Sequence, residues 1–307
     1  MEFEVALSNV LVTLLYILPG YLICKGKRAV ADHLPTLSGL LIYACSPCML
    51  INSLLNMEFS PKGLAHMGLF LLASLLLQTA FMLILFGLFR KKQDVKYRIF
   101  AIASVMGNVG FFGLPIVKVL LPDNPEVMAY SAAYAVSMNI LLFTVGVYCL
   151  TGRRETMSLR AAVLNPTVIS FSIGVLLYVV GAGKVLPGLL TGCVKLLGDM
   201  STPLCMIILG VRLATVPVKR LFSRPFVYGI AASKLILYPL FVFAVTLLLP
   251  LPYSFRASLV VLSATPCAAV IQSISEIYKS EMELSANCVM LSTLFCFLTV
   301  PLATLLL

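Results

Sequence analysis

Charge is what this 307-residue sequence has least of. Asp, Glu, Lys and Arg make up 11% of it, against about 25% in soluble domains. The shortage runs the whole length, which excludes an ordinary soluble domain anywhere along the chain. Histidine is nearly absent too: His33 and His66 are the two present, both near the ends of apolar segments. Cys45-Ser46-Pro47-Cys48 has the spacing of a redox pair or half a metal site, but no second pair or histidine accompanies it. The nine cysteines lie in or beside apolar stretches, where they behave as small hydrophobes. No disulfide framework, metal site or cofactor is therefore expected. Neither H-E-x-x-H nor G-x-S-x-G occurs, so hydrolysis has little support. Gly198-Asp199 matches half of an intramembrane aspartyl site. Leu196 stands where the first glycine belongs, and no second span carries the partner aspartate that such a mechanism needs. Gly181-Ala182-Gly183-Lys184 misses the P-loop spacing, which removes ATP-driven transport.

Apolar residues fill the space, at 61% of the chain. A bilayer crossing takes about 20 apolar residues, and ten such segments are predicted, at 6–23, 34–55, 64–89, 98–121, 126–150, 163–181, 186–211, 225–249, 255–277 and 284–306. The loops between them are short, so no extramembrane domain is expected. Met1-Glu2-Phe3-Glu4 is acidic where a signal peptide is basic, so the first segment reads as a span. The formal net charge of +10 is a matter of placement. Most Lys and Arg fall in four alternate loops: Lys25, Lys27 and Arg28; Arg90, Lys91, Lys92, Lys96 and Arg98; Arg153, Arg154 and Arg160; Arg212, Lys219, Arg220 and Arg224. Short cytoplasmic loops collect such residues. The expectation is a multi-pass protein of the cell membrane with both termini outside, and no nucleic-acid partner.

The segments repeat. Arg98 and Arg256, Asn9 and Asn165, and Pro47 and Pro203 recur at a nearly constant spacing of about 156 residues. The predicted domains are a first five-helix repeat at 1–150, a cytoplasmic connection at 151–162 and a second repeat at 163–307. Five crossings per repeat is odd, so the second enters the membrane from the opposite side and the repeats are inverted. The fold class is thus an all-α integral membrane protein of ten transmembrane helices.

The fourth segment of each repeat is interrupted at the same depth. Arg98 opens one, broken at Gly107-Asn108-Val109-Gly110, and Arg256 the other, broken at Thr265-Pro266-Cys267. At 1.5 Å per residue each break falls about half a bilayer in. Unwound backbone survives there only inside protein or along a watery cavity. Two such spans crossing would aim the positive N-termini of their second halves at one point, which suits an anion. Asn108 can bond a carboxylate oxygen or cap the half-helix that follows it. Lys234 lies about 15 Å into the eighth segment, too deep for easy snorkelling. It can meet an anionic substrate or pair with Asp199; its counterpart in the first repeat is Gln78. Asp199 shares a helix face with Lys195 four residues earlier, an internal ion pair or a proton-linked coupling carboxylate. Lys118 and Glu276 read as interface residues near span ends.

Gly107-Asn108-Val109-Gly110-Phe111-Phe112-Gly113-Leu114-Pro115, with Asn165-Pro166, the Thr265-Pro266 break and Pro301, resembles the auxin efflux carrier family, the bacterial malate-permease-like members in particular. The resemblance spans essentially the whole chain. It implies crossed fourth and ninth helices, a scaffold of helices one, two, six and seven, a transport unit of the other six that moves like an elevator, and a homodimer through the scaffold. It also implies a mono- or dicarboxylate substrate. The chain departs from it at Val109, where many bacterial relatives carry threonine, and near Val270, where they carry an asparagine. The competing readings are a sodium- or proton-coupled carrier of related crossed-helix architecture, which would want carboxylates near the crossing, and a membrane sensor, which would need an output domain.

Overall fold

In the computed structural model, residues 2–28, 30–92, 94–215, 222 and 224–307 are described. Lys219 and Arg220 of the fourth basic loop lie outside them. Eight helical stretches are long and apolar enough to cross a membrane. They are α1 (Phe3–Lys25), α2 (Leu34–Leu55), α3 (Pro61–Leu88), α6 (Glu126–Thr151), α7 (Arg154–Val179), α8 (Gly188–Thr215), α9 (Pro225–Leu247) and α12 (Met282–Thr304). The remaining two predicted segments are each split into a pair of short helices. The fourth gives α4 (Val95–Ala103) and α5 (Val109–Leu120), and the ninth gives α10 (Tyr253–Ser263) and α11 (Ala269–Ile277). Glycine and proline at these breaks are the cause, since they are the poorest helix formers. Among the described residues there is no strand, and a single antiparallel bridge joins the two breaks.

Two packing groups are visible. In one, α1 lies against α8 and α2 against α7. The first pair approaches closely because both helices place a glycine there: a Cβ on Gly20 would strike the Ile207 carbonyl, and one on Gly210 the Ile17 carbonyl. In the other group, rings and hydroxyls tie α3, α6, α9 and α10 together. Phe70 stacks on Tyr130 with centroids 4.6 Å apart and meets Phe255 edge-on at 4.8 Å. The Tyr134 and Tyr238 hydroxyls bond at 2.9 Å.

The repeated asparagines do different work. Asn165 caps the helix that starts at Pro166, accepting from the Val168 N–H at 3.0 Å. Asn9 sits inside α1 and donates to the Val5 carbonyl at 2.8 Å. The proline that follows Asn165, and does not follow Asn9, makes the difference, because it favours a helix start at its own position.

Candidate functional site at the two helix breaks

The chain leaves α4 after Ala103 and runs non-helical to Asn108, where it meets the stretch between α10 and α11. Asn108 N–H donates to Pro266 O at 2.7 Å, and Ala268 N–H donates to Met106 O at 3.1 Å, on either side of the Gly107–Cys267 bridge. Each break thus satisfies the other's backbone, which allows both to persist away from water. Side chains complete the accounting. Ser292 Oγ of α12 accepts from Cys267 N–H at 2.9 Å, and Cys267 Sγ donates to Ala103 O at 3.4 Å. Pro266, having no N–H, leaves no donor to orphan. Gly107 is required by proximity: a Cβ there would collide with Thr265 Oγ1 and come 3.2 Å from Lys234 Nζ.

The break residues Gly107, Asn108, Val109, Gly110, Thr265, Pro266 and Cys267 are therefore brought together. Val109, Thr265 and Cys267 are fully buried. Asn108 begins α5, but its backbone carbonyl does the capping, accepting from Phe112 and Gly113 N–H at 3.1 Å each. Its side chain makes no cap bond, so that part of the sequence expectation is corrected. The Asn108 amide instead donates weakly to Cys205 Sγ of α8 at 3.9 Å. A Cβ on Gly110 would lie 3.1 Å from Met49 Cε of α2. Met49 and Cys205 stand two residues after Pro47 and Pro203, so positions 156 residues apart both reach the breaks. Sequence reasoning missed both, although the Pro47 and Pro203 spacing held the signal.

Lys234 joins the same cluster. It is 0% exposed and sits in a widened π-helical turn, Ser233–Leu237, a distortion often found at functional positions. Its ammonium donates to Ser263 O, the last carbonyl of α10, at 2.5 Å and lies 5.1 Å from the Tyr238 ring centroid. Among the described residues no carboxylate is ion-paired with it. The alternative partner expected from the sequence, Asp199, is taken by Lys195 at 2.9 Å. That pair is more than half exposed on the outside of α8, so it is not internal, and neither residue reaches the breaks.

Two further expectations change. Arg212, counted with the basic loop, is buried at the end of α8, 6% exposed, and holds Glu276 Oε1 of α11 at 2.7 Å; Gln272 Nε2 donates to the same oxygen at 2.8 Å. Glu276 is thus an interhelical partner and not a free interface residue. Lys118, by contrast, is exposed near the end of α5, as expected.

No curated protein matches the chain. A family model described as "membrane transport protein" matches it twice, over residues 5–159 and 150–304. With matches running nearly from end to end, and the 107–115 stretch lying at the meeting of two helix breaks, the chain belongs to the membrane transport protein family, the auxin efflux carrier family it resembles.

Proposed function

We propose that the protein carries a small organic anion, a mono- or dicarboxylate, across the cell membrane by elevator-type alternating access. The observation that carries the reading is the juxtaposition of two broken helices with a buried ammonium that, among the described residues, has no carboxylate ion-paired with it. A charge in that position costs several kcal/mol unless paired or hydrated, and an anionic substrate offsets that cost on binding. The N-terminal ends of α5 and α11 add their partial positive charge at the same place. Asn108 supplies an amide donor for a carboxylate oxygen.

In this reading α1, α2, α7 and α8 form the scaffold of a homodimer, and the other six helices, counting α4–α5 and α10–α11 as one each, form the transport unit. The ten crossings make two inverted repeats with both termini outside. The division is supported by the packing groups and by the contacts between them. Asn108 meets Cys205, and Gly110 faces Met49, so the substrate position lies where a moving unit would slide past a fixed one. Uptake of labelled mono- and dicarboxylates into proteoliposomes tests this. Wild type takes up at least one of them, and Asn108→Leu loses about tenfold or more in kcat/KM with its thermal stability unchanged. Absence of uptake across the panel, or wild-type kinetics in Asn108→Leu, would contradict the assignment.

A further inference from the structure

The ammonium of Lys234 occupies a particular electrostatic position. Ser263 ends α10, and the last carbonyls of a helix carry its partial negative charge. In carriers built on broken helices, such C-terminal ends and unwound carbonyls hold the coupling cation while the N-terminal ends face the anion. Here a protein group already stands on that carbonyl, at 2.5 Å. Thr265 Oγ1 and Lys234 Nζ both lie within 3.2 Å of where a Cβ on Gly107 would stand. The tether is α9, and the Tyr238 ring flanks the charge.

The charge inventory points the same way. Neither 95–120 nor 253–268 contains an Asp or Glu, so the breaks lack the carboxylate that would hold a mobile cation against the cost of dehydration. The position 156 residues before Lys234 offers no second charge. Gln78, at the position equivalent to Lys234, is neutral and buried, and its amide nitrogen donates to Ser137 Oγ at 2.9 Å and Ser74 O at 3.0 Å.

We propose that Lys234 takes the place of a coupling cation: transport runs without sodium because the ammonium on Ser263 O is a built-in monovalent cation, and removing it opens a site for a mobile one. The inference rests on the organic-anion reading above and names its coupling.

The test has two arms. In proteoliposomes, wild-type carboxylate uptake is unchanged when choline replaces sodium on both sides; sodium-dependent uptake would overturn the proposal. Lys234→Ala loses about tenfold or more in uptake and regains a large part of it with methylammonium or sodium. The second arm needs no transport. The thermal unfolding midpoint of purified Lys234→Ala rises with methylammonium or sodium relative to choline, and that of wild type does not. Lys234→Met fills the space and stays insensitive to both cations. Lack of any cation response in folded Lys234→Ala, an equal response in wild type, or cation rescue of Lys234→Met would each overturn it. If wild type moves no carboxylate at all, the anion reading fails, and the unfolding arm still decides whether Lys234 stands in a cation site. If Lys234→Ala does not fold, the sodium dependence of wild type decides.

Discussion

The two halves of this protein solve the same problem with different chemistry. In the first, the break is made by glycines, and the buried polar position on the neighbouring helix is Gln78, tied to Ser74 and Ser137. In the second, the break is made by Pro266, and the equivalent position is Lys234, whose ammonium reaches over to the end of α10. Glycine lets the first break approach the second closely; proline withholds the N–H that would bond Leu262 O, which Thr265 Oγ1 bonds at 2.7 Å instead, and the unwound Pro266 carbonyl accepts from Asn108 N–H at 2.7 Å. The two breaks thus meet with one buried amine, supplied from the second half alone. In the proposed function, that asymmetry is what favours an anion over a neutral solute.

The largest way to break the comparison is to remove the close approach. Gly107→Val would drive a branched side chain into Thr265 and Lys234; overpacking of this kind costs about 1–3 kcal/mol or more, and we expect poor recovery of folded protein with no uptake. Gly110→Ala should be mild by comparison, because the atom it meets is the flexible end of Met49. Comparing the yields and thermal stabilities of the two variants checks this.

Making the second half copy the first comes next. Lys234→Gln should raise KM about tenfold for a monocarboxylate and further for a dicarboxylate, since removing one positive charge weakens attraction in proportion to substrate charge. An equal rise for both classes would show that the residue acts through shape.

Glu276→Gln should have a smaller effect. Arg212 is buried but Glu276 is 44% exposed, so solvent screens the pair and the loss should be about 1–2 kcal/mol in a stability measurement. The smallest effect belongs to Glu58, exposed between α2 and α3. Its carboxyl is held below the usual range by the hydrogen bond and charge of Lys184. A lowered folded pKa contributes stability that is present above the unfolded pKa and lost as pH falls through the lowered one. Glu58→Gln should therefore be slightly less stable than wild type at neutral pH, with the difference closing as pH falls through the acid range.

How far these features were legible in the sequence depends on their range. The breaks were visible because glycine and proline act locally, and the Lys195–Asp199 pair because i and i+4 share a helix face. Helical rise placed Lys234 far inside its segment, and it is buried. Its partner was not legible, because Ser263 is 29 residues away and a backbone carbonyl has no signature. The same holds for Ser292 under Cys267, for the Tyr134–Tyr238 hydroxyl pair and for Arg212–Glu276. Periodicity says which segments are helical and leaves open which helices touch. The exposure of Asp199 was hidden for a related reason: in an apolar span every side looks alike until the neighbours are placed.

The central claim is that a carboxylate sits where the two breaks meet. The measurement that tests it most directly is a structure of the protein with a transported carboxylate bound. The account predicts ligand density against Asn108 and the Gly107–Cys267 bridge, with a carboxylate oxygen facing Lys234 Nζ. A transported carboxylate seated away from the breaks, with Asn108 and Lys234 arranged as they are without it, would contradict the account.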